Sequence, residues 1–170
     1  MSTDHVSTFE SSLTELAASV RRVPTADLAD ALDDVTEPPV VGAPLPFEGV
    51  SLADLGIEPL ETAGQLEAAT TGVTAAGLGV AEYGTVTLRT TPDADELVSL
   101  YPERHVVVLA ASDVVPDLET AFERLGPEFR EEGLDTQILN TGPSSTGDMG
   151  KLYQGVHGPK QVHYVVLEDR

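Results

Sequence analysis

Apolar positions in the first part of the chain recur at helical spacing. Val6, Phe9, Leu13, Leu16, Ala17 and Val20 fall on one face, and Ser7-x-x-Glu10 has the form of a capping box. This predicts a helix running to Val20, with Arg21 and Arg22 at its C-terminus, where positive charge is favoured. A second helix is expected from about Ala26 to Val35, ended by Pro38 and Pro39. Residues 42–59 are rich in Pro and Gly and leave room for a short strand that periodicity does not decide. The pattern then changes period. Gly84 to Leu88 alternates as a strand does, and His105 to Ala110 is a continuous apolar run, as in a strand covered on both faces. Pro116 opens a helix with Leu118, Ala121, Phe122 and Leu125 on one face and Gly133 as its stop. Two β-branched runs follow, Thr136 to Leu139 and Val162 to Leu167.

Strands alternating with helices predict an α/β fold, with a mostly parallel central sheet flanked by helices and further helices at the N-terminus. A chain of 170 residues is the size of one domain. The N-terminal helical and Pro/Gly-rich part, 1–60, is expected to pack on the core formed by 61–170.

Between the last two β-runs lie two clusters of small residues, Gly142-Pro143-Ser144-Ser145-Thr146-Gly147-Asp148 and Gly155-Val156-His157-Gly158-Pro159. The segment joining them has the length of about two helical turns, so the order reads strand, loop, helix, turn, strand. Backbone N–H groups at a helix start lack intrahelical partners, and with the hydroxyls of Ser144, Ser145 and Thr146 they would suit a small anion. The plainer reading is a capped helix between two turns. Asp148 would then sit in the first helical turn, stabilised by the helix dipole or free to orient a substrate hydroxyl. His157, flanked by glycine, could aim a ring nitrogen into a cleft or fix its own turn. The chain's two lysines, Lys151 and Lys160, flank these clusters. His163 alternates with apolar residues and reads as a core or cross-strand residue. No His pair has helical ligand spacing, so a metal site is not expected.

Net charge is −20, from 29 acidic and 9 basic residues spread along the chain. Such self-repulsion is screened only at high salt, which points to a halophile's protein; a tail made for a basic partner would be a block of like charge. Nucleic acid is not an expected partner, because no basic stripe is present. The chain has no cysteine, which excludes disulfides and cysteine-ligated clusters on these residues. No apolar run approaches the roughly 20 residues that span a bilayer. The polar start, Met1 to Glu10, lacks the apolar stretch of a secretion signal, so the expected location is the cytoplasm.

The paired clusters, with Gly72-Val73-Thr74-Ala75-Ala76 and Ala81-Glu82-Tyr83-Gly84-Thr85 upstream, resemble the LUD domain over about residues 60–168, and more narrowly the lactate-utilisation protein C family, here as an acidic, haloarchaeal-type member. Two positions depart from that pattern: Ser145 stands where the family usually has Arg, and Gly150 where it has an acidic residue. The resemblance implies a fold like that of CoA-transferases and ribose-5-phosphate isomerase, which commonly associates into oligomers. It implies a part in L-lactate oxidation beside iron–sulfur partner subunits. It also implies a small-anion site at Thr74, Thr85, Gly142, Ser144, Ser145, Thr146 and Gly158, with Glu82, Asp148 and His157 as candidate catalytic groups. Glu82 precedes Tyr83-Gly84, a setting in which that superfold can use a carboxylate nucleophile. A stand-alone enzyme on a phosphorylated or CoA-linked metabolite, and a ligand-sensing module, are the alternatives.

Overall fold

A computed structural model describes residues 2–131 and 136–170. The elements in chain order are α1 (Ser2–Glu15), β1 (Ser19–Val23), α2 (Leu28–Asp33), β2 (Val40–Gly42), β3 (Glu58–Pro59), α3 (Ala63–Ala68), β4 (Thr71–Ala75), β5 (Gly79–Val80), β6 (Thr85–Arg89), α4 (Asp95–Leu100), β7 (Arg104–Ala110), β8 (Val114–Val115), α5 (Leu118–Glu131), β9 (Gln137–Thr141), β10 (Ser145–Asp148), β11 (Lys151–Gln154) and β12 (Gln161–Leu167).

The central sheet has six parallel strands in the order β1-β12-β7-β4-β2-β3. This is the predicted α/β architecture, and β7 lies inside the sheet with His105 to Ala110 all buried. Successive side chains alternate between its faces. On one face Val107, Leu109, Val162, Tyr164 and Val166 pack with Phe9 and Leu13 of α1 and with Val86 and Leu88 of β6. On the other, Val106, Val108, Val165 and Leu167 meet Leu28, Ala31 and Leu32 of α2 and the 45–57 segment. The backbones of β4 and α4 come so close that a Cβ on Gly72 would lie 2.0 Å from the Val98 carbonyl oxygen.

Three expectations need correction. Helix α1 stops at Glu15, and Val20, Arg21 and Arg22 belong to β1. The stop is a left-handed Ala17, φ 57°, with the Ala18 N–H returning to the Leu13 carbonyl at 3.1 Å, the 6→1 bond of a Schellman ending. Arg22 is then drawn back to α1, where its Nε donates to Glu10 at 2.6 Å. Second, residues 79–89 do not join the central sheet. They form with β8 and β9 a separate sheet, β8-β5-β6-β9, in which β5/β6 and β6/β9 are antiparallel. Third, there is no helix between the two small-residue clusters. Residues 145–154 are a hairpin, β10 against β11, with Asp148 opposite Lys151. Gly147 and Gly150 would each weaken a helix by about 1 kcal/mol, and so short a helix carries an unrecovered nucleation cost. The Met149-Gly150 turn has positive φ at both residues, 47° and 78°, the geometry that joins two strands through two residues. The Gly133 stop lies outside the described residues.

Candidate functional site

The structure joins the two glycine-rich clusters through one residue. The Ser144 N–H donates to the Pro159 carbonyl at 2.9 Å, and the Ser144 carbonyl accepts from the Gly155 N–H at 3.0 Å. Gly158 lies against the same residue: a Cβ there would be 3.3 Å from Ser144 Cβ. Gly142, at φ 65°, donates its N–H to the Tyr164 phenol at 3.3 Å. Thr85 is buried beside it, sharing a 2.6 Å hydrogen bond with Thr141.

Other predicted residues lie apart from this cluster. Ser145, Asp148 and His157 are exposed, on the hairpin and the turn after it, and Thr146 is half-buried. Glu82 is exposed on the turn before β6, where its N–H donates to the Pro116 carbonyl at 3.0 Å. Thr74 is buried within the fold, with Oγ1 2.9 Å from Nε2 of His105. That imidazole is fully buried, its Nδ1 has no partner among the described residues, and desolvation pushes its pKa down to about 3, so it is neutral at ordinary pH. His163 is cross-strand, as expected, with Nδ1 bonded to Ser19 and a pKa lowered first by desolvation and then by Arg104.

Ligands of open α/β sheets gather beyond the carboxyl ends of the strands, but the small-residue loop does not lie there. The loop after Thr141 follows a strand of the smaller sheet and leads to Lys160, whose N–H bonds to Glu103 just before β7 begins. The paired clusters therefore lie toward the amino end of the parallel strands.

The carboxyl end carries a different feature, a cavity of about 600 Å³. Its floor is Ala75, Ala76 and Gly77 after β4, with Ala110 ending β7. Small side chains make the space, and Gly77 is required, since a Cβ there would fall 2.9 Å from Thr87 Oγ1. One side is the 44–47 segment with Phe47, and Arg170. The Arg170 side chain is held by Thr25 Oγ1 at 3.1 Å and the Glu48 carbonyl at 2.8 Å. The other side is Arg89, Asp113 and the 91–95 turn. Arg89 donates to Glu128 at 2.7 Å. Asp95 is buried and accepts from Thr91, and Ala94 between them is left-handed at φ 63°. Desolvation raises the Asp113 carboxyl, with Arg124 opposing the shift. Sequence reasoning missed this site because its residues come from five segments without a shared motif. The available signal was positional: ligands of open α/β sheets gather beyond the carboxyl ends of the strands.

The lactate utilization protein C of Bacillus licheniformis is 35% identical over 107 residues, 61% of this chain and 45% of that protein. Those of Bacillus velezensis (32% over 132 residues, 74% of this chain and 54% of that one) and Macrococcus caseolyticus (35% over 118 residues, 68% and 50%) are similar too. The chain thus spans about half the length of the curated relatives it matches. The crystal structure of a DUF162 family protein from Deinococcus radiodurans shares the fold, with a TM-score of 0.72 at 19% identity over 98% of each chain. The LUD domain model matches residues 58–167, which include β4 to β12 and both glycine-rich clusters; the chain belongs to the LUD domain family.

Proposed function

We propose that this chain acts in lactate utilisation as a component that binds and docks, while iron–sulfur partner proteins carry the electrons. The lactate utilization protein C relatives support the pathway, and a sequence without cysteine supports leaving the clusters to partners.

The observation that carries the docking role is the β10–β11 hairpin. An isolated two-stranded hairpin is marginal in water. This one nevertheless presents Met149 at 96% and Leu152 at 71% exposure, with Tyr153 and Val156 also exposed. Such side chains, on a chain of net charge −20, are what a partner would cover. Asp148 and His157 supply polar contacts on the same projection. A small anion on this face would rely on Ser145, Thr146 and Lys151, without the helix terminus that would have strengthened its hold.

The acidic surface is a salt adaptation in this reading, so the test belongs in high-salt buffer. Tagged intact protein should recover cluster-bearing proteins from cells growing on lactate, and Leu152→Asp should not. Equal recovery of nothing by both proteins would remove the docking role.

A further inference from the structure

The cavity at the carboxyl ends of the parallel strands is separate from the hairpin face and has its own chemistry. A volume of about 600 Å³ lies within the usual range for small-molecule sites, about 300–1,000 Å³. A three-carbon acid would leave most of it empty. Three kinds of lining group face the space. Phe47, with Pro44 and Pro46, gives a flat apolar surface suited to a ring. Asp113 lines the same space, partly desolvated and within electrostatic reach of Arg124 and Arg89, and its carboxyl can accept from hydroxyl groups. Arg89 stands on the Asp113 side, close over Gly77, and offers a planar guanidinium, which matches a phosphate or carboxylate. Asp93 and Asp95 disfavour a heavily charged polyphosphate, so a single anionic group fits the balance better. The small floor residues let a ligand approach the strand ends closely.

We propose that this cavity binds a mononucleotide-class ligand that spans it, with its ring on Phe47, its sugar hydroxyls at Asp113 and its one phosphate at Arg89. The site does not depend on the lactate reading, and the test uses no lactate-dependent activity.

The experiment is calorimetric titration of the intact protein in high-salt buffer with adenosine 5′-monophosphate, adenosine, ribose 5-phosphate and L-lactate. The nucleotide should bind, and adenosine and ribose 5-phosphate should each be weaker by about tenfold or more. Phe47→Ala should weaken the nucleotide to the level of ribose 5-phosphate. Arg89→Gln should weaken it to the level of adenosine, whereas Arg170→Gln, across the cavity, should not. Arg170→Gln serves as the control for a lost positive charge, and unchanged circular dichroism establishes that each variant is folded. Nucleotide binding no tighter than about 1 mM would overturn the proposal. So would binding that ignores the Phe47 and Arg89 substitutions, or binding of lactate alone.

Discussion

The Gly142 N–H donates to the phenolic oxygen of Tyr164 at 3.3 Å, linking the first glycine-rich cluster to the middle of β12. The Tyr164 ring is buried and meets Phe9 edge to face, with centroids 5.8 Å apart, so one side chain ties α1, the central sheet and the loop together. Replacing Tyr164 by Phe keeps the ring contact and removes the acceptor. A buried donor left without a partner costs about 1–3 kcal/mol. Tyr164→Phe should lose stability in that range by urea unfolding and speed amide exchange at Gly142. Burial raises the Tyr164 pKa to about 12, with the Gly142 bond opposing. The folded state therefore keeps a proton that the unfolded chain releases near pH 10, so stability should fall as pH rises from about 10 toward 12, and the variant should lack that fall.

His105 contributes on the acid side. Its folded pKa of about 3 lies below the ordinary histidine value of 6.5, so the unfolded chain binds a proton that the folded one refuses. Its stability contribution is present above pH 6.5 and is lost as pH falls toward 3, with a limiting slope of about 1.4 kcal/mol per pH unit. His163 acts in the same direction. Urea midpoints measured at several pH values should show this loss, and His105→Gln should flatten it. An identical pH profile in that variant would mean that His105 does not contribute.

Gly72 should tolerate no side chain. Its missing Cβ would stand 2.0 Å from the Val98 carbonyl oxygen, which is backbone and cannot rotate away. Gly72→Ala must push α4 off β4, at a cost of about 1–3 kcal/mol or more. A thermal midpoint equal to that of the parent chain would contradict the close approach.

Leu152→Asp should behave in the opposite way. Leu152 is exposed on the hairpin, so stability should change by no more than about 0.5 kcal/mol, while partner recovery is lost. Comparing unfolding curves with pull-down yield separates the two effects.

The sequence was most legible where burial decides the pattern. His105 to Ala110 and Val162 to Leu167 read as strands because both lie inside the sheet, covered on both faces. The end of α1 was hidden, because Val20 continues the helical period while Ala17, a strong helix former, takes the left-handed stop. Residues 142–155 misled for another reason: Gly, Ser and Thr serve helix caps and hairpin turns equally well, and only pairing with Lys151 to Gln154 selects between them. The two clusters do meet in the fold, through the backbone of Ser144. The cavity was invisible because Phe47, Arg89, Asp113 and Arg170 converge only once the sheet has formed.

Lactate-dependent reduction of an electron-accepting dye in high-salt extracts tests most directly whether this chain acts in lactate utilisation. Extracts would come from a strain lacking this gene and from the same strain complemented with the intact chain or with Leu152→Asp. Activity should vanish on deletion, return with the intact chain and stay low with the hairpin variant. Dye reduction unchanged by deletion would contradict the account.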